Sequence, residues 1–143
     1  MDADTVRQSL ARFIGIEKAK RFIKAGLRRN GTLHYWQQDI WDQLIAANPA
    51  FADAAVLLSE VFRFCVLHDC ELKQDSIGVI HGCVDHVPEY DRDAAAFFPW
   101  AAIGPWSTEG RSYEGNTIQV WYCPGCRDAF KESRWGRPQR DSS

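Results

Sequence analysis

Two segments far apart in the chain share one spacing, Cys65-Val-Leu-His68 and Cys123-Pro-Gly-Cys126. Two residues between donors let one tight turn present both side chains to a single ion, and zinc takes four nitrogen and sulfur donors in a tetrahedron. A zinc ion held by Cys65, His68, Cys123 and Cys126 would clamp together two segments with 54 residues between them. Four protein ligands leave no position for water or substrate, so a structural ion is expected rather than a catalytic one. Cys70, two residues after His68, is the alternate ligand, with His81, Cys83 and His86 behind it. Buried apolar cysteines without a metal are the competing reading. Five cysteines is an odd number, and a reducing compartment would not preserve a disulfide framework.

The remaining pattern is that of one soluble α+β domain. With 143 residues, 45% apolar and 25% charged, the chain is long enough for one core and too apolar for disorder throughout. The longest uncharged run, Ala94 to Thr108, is shorter than a membrane span and is interrupted by Pro99 and Pro105. Met1 to Phe13 lacks the apolar stretch of a secretion signal, so a cytoplasmic address without membrane contact is expected. No glycine-rich nucleotide-binding or serine-hydrolase motif occurs.

Thr5 with Gln8 has the form of a capping box ahead of Val6, Leu10, Phe13 and Ile14 at helical spacing. Gly15 should weaken this helix before it runs on to Asn30-Gly31. A second helix is expected over about 34–46, carrying Trp36 and Trp41, and a third from Pro49 that delivers Cys65 at its end. Ile77 to Val87 reads as one or two short strands, Asp91 to Phe98 as a short helix, and 100–116 as a loop or hairpin connection. Thr117 to Tyr122 is the clearest strand, and it runs into the CPGC pair and a helix to about Trp135. The expected organisation is a helical part, 1–64, packed on a zinc-binding part, 65–135, with a frayed tail at 136–143.

The net charge of −2 conceals a segregation. Residues 1–31 carry +5, residues 32–126 carry −9 and residues 127–143 carry +2. Lys18, Lys20, Arg21, Lys24, Arg28 and Arg29 therefore make a candidate surface for nucleic acid or an acidic protein. The alternative is a solvated helix face, or pairing with the acidic middle of the same chain. Trp100 and Trp106, in a segment rich in proline and glycine, are candidate contacts for a partner, whereas Trp36 and Trp41 at helical spacing belong to a core.

The order of knuckle, strands, CPGC and helix resembles the treble-clef zinc domains over about Cys65 to Trp135. In that family one ligand pair comes from a knuckle and the other from the first turn of a terminal helix. The chain is also similar to a set of uncharacterised bacterial proteins with Cys-x-x-His-x-x-x-Leu, here Cys65, His68 and Leu72, then Gly82, Phe98-Pro99 and the late Cys-Pro-x-Cys. That likeness implies no activity. Asp85-His86, with Asn116 ahead of the second pair, resembles the HNH nucleases. It implies His86 as general base and Asp85 as the residue orienting a ligand of a divalent ion distinct from the zinc. Against it, Asn116 lies farther from Cys123 than in that pattern, and His68 replaces a cysteine. A thioredoxin-like site would need more chain than the 17 residues after Cys126, and a zinc deaminase would need a His-x-Glu that is absent. The sequence therefore favours a non-enzymatic binding or regulatory protein, with the nuclease as the alternative.

Overall fold

A computed structural model describes residues 1–136. Among these the chain is a mixed α+β protein with six helices and two small sheets. It divides into two compact units, Met1–Val66 and one beginning at Leu67, so the division falls inside the Cys65–His68 pair. Residues 137–143, most of the expected frayed tail, lie outside the described residues.

The first unit begins with α1 (Ala3–Ile14), whose N-cap is Asp2 rather than Thr5; the Thr5 amide donates to Asp2 Oδ1 at 2.8 Å. A carboxylate at this position satisfies an otherwise orphaned helical amide. Gly15, with φ of 90°, breaks the chain into α1 and α2 (Ile16–Ala25), and α2 ends at Gly26, ahead of the expected Asn30-Gly31 stop. α3 (Tyr35–Ala47) follows the expected bounds to within one residue and buries Trp41, but Trp36, expected in the core, is exposed. The third expected helix is instead a 3-10 stretch, Pro49–Leu57, followed by one α-turn, α4 (Leu58–Val61). Its inward residues Phe51, Ala54 and Leu57 recur every third position, the repeat of a 3-10 helix. Cys65 therefore sits on a strand, β1 (Phe64–Cys65), and not at a helix end.

Val6 and Leu10 of α1, Phe22 and Ile23 of α2, and Trp41 and Leu44 of α3 form the core with Phe51, Val61 and Phe62. The Phe22 ring stacks on Phe62 at 5.7 Å. Two polar side chains are buried among them. Gln37 donates through Nε2 to the carbonyls of Phe22 and Gly26, and its Oε1 accepts from the His34 amide, so the end of α2 is tied to the start of α3. Arg7 of α1 donates to the carbonyls of Val61 at 3.0 Å and Glu60 at 2.7 Å, and its guanidinium stands 4.5 Å over the Phe64 ring.

In the second unit, β2 (Cys70–Glu71) is followed by β3 (Lys73–Ile80), α5 (Pro88–Phe97), β4 (Trp106–Ser107), β5 (Thr117–Tyr122) and α6 (Pro124–Glu132). β1 and β2 pair across the turn between them. β3 is the centre of the other sheet, antiparallel to β5 from Lys73↔Tyr122 to Gly78↔Thr117 and parallel to β4 at Val79↔Trp106. The one or two short strands expected over 77–87 are thus a single strand that starts four residues earlier and stops at Ile80, ahead of Gly82, whose φ of 145° turns the chain. The helix expected to reach Trp135 ends at Glu132. The rings of Tyr90 and Phe98 contact each other, as do Phe98 and Phe130, and Tyr90 and Trp135, at 5.3 to 5.9 Å, which packs α5 against α6.

Candidate metal centre

The β1–β2 turn presents the first pair. Cys65 is fully buried on β1, His68 is half-buried in the turn, and Asp69 closes it in the left-handed region at φ 54°, where Asp is among the residues best tolerated. The second pair is built by the start of α6. Cys123 is the N-cap, with Sγ accepting the Cys126 amide at 3.4 Å, and Pro124 occupies the first turn, where no amide donor is needed. The positive end of the helix dipole favours thiolate at this position.

The two pairs converge. One donor atom from each of Cys65, His68, Cys123 and Cys126 lies within 4.8 Å of every other. His68 Nδ1 is 3.3 Å from Cys126 Sγ and 3.7 Å from Cys123 Sγ. Tetrahedral zinc with bond lengths of about 2.0–2.3 Å implies donor separations of about 3.3–3.8 Å, so a modest contraction would complete the shell. Three thiols and one imidazole suit zinc or another thiophilic ion. Cys70 stands outside this mutually close set, with Sγ 3.2 Å from Cys123 Sγ at its edge.

Gly125 has a steric role that the motif does not announce. A Cβ there would lie 2.7 Å from His68 Cγ and 3.0 Å from His68 Cβ, so the imidazole rests where any larger residue would place its side chain. Gly125→Ala is expected to lower metal affinity about 10- to 100-fold, the range seen when the support of a ligand is disturbed. Pro124→Ala should change it less than about threefold, since the cap survives without the ring. Competition against a chromophoric chelator measures both, and equal affinities would remove the steric assignment.

One turn into α6, Arg127 ties the pair to the sheet. Its guanidinium donates to Asp75 Oδ2 at 2.7 Å and to the Ala101 carbonyl at 2.9 Å, and lies 3.7 Å over the Tyr122 ring. The hydrogen bond from Arg127, followed by that from the Ser76 amide, holds the Asp75 carboxyl below its ordinary pKa. A depressed carboxylate contributes stability above its unfolded pKa and loses it as pH falls through the folded one. Asp75→Asn should therefore flatten the acid side of the stability profile below about pH 4. Urea titrations at pH 4 and below measure it, and an unchanged slope would show that the pair contributes nothing to acid stability.

The other residues singled out from sequence lie elsewhere. Lys18, Lys20, Arg21 and Lys24 are exposed on α2, and Arg28 and Arg29 are exposed beyond it. Trp106 is half-buried on β4, and Trp100 is exposed in the loop before it. Asp85 and His86 lie in the connection after β3, not on a strand, and His86 Nε2 is 3.1 Å from Glu109 Oε1. The Asn116 carbonyl accepts from the Val79 amide, and His81 Nε2 is 2.9 Å from the Gly115 carbonyl oxygen. Cys83 is exposed. Among the described residues no second group of three or more His, Cys, Asp or Glu donors forms around them. No described helix is long and apolar enough to cross a membrane.

The sequence does not single out Arg127 or Glu109, and Pro124 and Gly125 read there only as a compact knuckle, not as a seat for His68. Arg127 directly follows the second ligand pair and Gly125 lies inside it, where a glycine is the one signal that pointed to close packing. No family model, curated protein or solved structure matches the chain, so the treble-clef and nuclease likenesses gain no support from relatives.

Proposed function

We propose that this is a non-enzymatic binding protein in which Cys65, His68, Cys123 and Cys126 hold one structural zinc ion, and that it contacts nucleic acid through the basic face of α2. The convergence of four donor atoms within 4.8 Å supports the metal, since four such donors would fill a tetrahedral shell and leave no open coordination position. The sequence of β1–β2 turn, β3, β5 and α6 supports the treble-clef reading.

The partner surface rests on one observation. Lys18, Lys20, Arg21 and Lys24 face solvent while Ala19, Phe22 and Ile23 of the same helix are buried, and among the described residues no ion pair engages these four cations. Pairing within the chain would have neutralised them. Four cations on one exposed face match a phosphate backbone in chemistry and sign.

The test is binding of a short duplex DNA over a salt series. Neutralising about four phosphates predicts an affinity loss on the order of 100-fold between 50 and 200 mM salt. Lys20→Glu with Arg21→Glu should abolish binding while the metal stays in place. Absent or salt-insensitive binding would exclude nucleic acid and leave an acidic protein as the partner class. Adding plasmid with Mg²⁺ separates the nuclease reading, because cleavage lost in His86→Ala would assign catalysis to that residue and overturn the non-enzymatic reading.

A further inference from the structure

The second unit contains a cleft of about 610 Å³, within the usual range for small-molecule sites. Ile77 of β3 and Val120 of β5 line it together with Trp100, Trp106 and Ile103, and Trp121 adjoins it. Glu109 is the one charged residue among its lining residues. Val84, Trp100 and Ile103 on its rim are 41%, 38% and 38% exposed, so apolar surface there stands in water until something covers it.

The walls are held from behind. The Trp100 carbonyl accepts the Cys123 amide at 2.8 Å, and Arg127 donates to the Ala101 carbonyl. Trp106 packs edge-on against Tyr113, whose hydroxyl donates to the Thr117 carbonyl. Ser107 Oγ donates to the Gly82 carbonyl and accepts the Glu109 amide, which fixes the Glu109 backbone beside the cleft. These contacts preform the site, so a ligand need not order it.

We propose that this cleft binds a small organic cation whose charge is a methylated, preferably quaternary, ammonium. Indole faces carry a negative quadrupole that attracts cations, and Glu109 adds a carboxylate that it shares with His86. Residues 67–136 carry eleven acidic and six basic side chains, so the field around the site has the same sign. A primary ammonium needs three acceptors. The charged and hydroxyl groups here are few: Glu109, which already meets His86, and Ser107, whose proton is engaged. A methylated ammonium needs no acceptors and gains from aromatic faces. The proposal goes beyond the nucleic-acid reading and does not depend on it.

The experiment titrates the intact protein with choline, with its neutral carbon isostere 3,3-dimethylbutan-1-ol, and with ethanolamine, following tryptophan fluorescence and calorimetry. Choline is expected to bind saturably and at least about tenfold more tightly than either comparison compound. Glu109→Gln, a conservative change at an exposed residue, should weaken choline about tenfold and leave the isostere unchanged; Trp106→Leu should weaken both. Equal affinity for choline and the isostere would reduce the site to apolar contact and overturn the proposal. So would no saturable binding of choline at tens of millimolar. Binding of a trimethyllysine peptide without binding of choline would overturn the assignment to a free small molecule.

Discussion

Cys123→Ser is expected to abolish stoichiometric metal and with it the cooperative unfolding of the second unit. Cys123 is fully buried, caps α6, and lies 3.7 Å from His68 Nδ1 and 3.2 Å from Cys70 Sγ, so its thiol is central to the donor cluster. Serine preserves the cap and removes the soft donor, which separates loss of metal from loss of helix start. Apparent binding energies of structural zinc are about 10–16 kcal/mol, as large as the ~5–15 kcal/mol stability of a whole domain. Wild-type protein should carry one zinc per chain by elemental analysis, and a chelator should reproduce the variant's behaviour. Cys70→Ser and Cys83→Ser should retain the ion. If Cys70→Ser lost it and His68→Ala kept it, the fourth ligand would be Cys70. Protein without metal but with an intact cooperative transition would remove the centre altogether.

The second large effect is expected at Arg7. Arg7→Met keeps an apolar stem in the core and withdraws the donors to the carbonyls of Glu60 and Val61. Hydrogen bonds to charged groups contribute about 1.5–3 kcal/mol each, so a loss of about 3 kcal/mol is expected. Arg7→Lys should recover less than half of it, because one ammonium cannot reproduce the planar fork or its position over the Phe64 ring. Urea denaturation measures the change while metal content stays at the wild-type level. A shift below 0.5 kcal/mol, of the order seen for ordinary surface positions, would show that the carbonyls find other donors.

Arg7 also marks where sequence reasoning ends. It reads as one more charge of the basic N-terminus, and its burial follows from carbonyls more than fifty positions later. α3, β5 and the start of α6 were legible because their signals are local: helical spacing around Trp41, a β-branched and aromatic run, and proline beside a capping residue. The 3-10 stretch was not, because Phe51 and Ala54 are three apart, a spacing that helices of either pitch allow. β3 was half legible. Ile77 and Val79 announce it, but Lys73 to Ser76 are polar, and Asp75 finds its partner only when α6 brings Arg127 to it. The donor set was legible because spacing within each pair is a local property. The contact between Gly125 and His68 was not, because it exists only once the two pairs meet.

The register of β3 against β5 bears on how the second unit assembles in time. Lys73↔Tyr122, the first pair of the ladder, adjoins Cys123 and follows shortly after His68, whereas Gly78↔Thr117 lies at its far end. Bringing His68 to Cys123 in a loose chain costs about 3 to 4 kcal/mol of loop entropy before any strand contact repays it. An ion that captures both pairs meets that cost at the outset, and the ladder can then zip outward one residue at a time from an end already in register. Metal supplied at the start of refolding should therefore accelerate formation of the sheet.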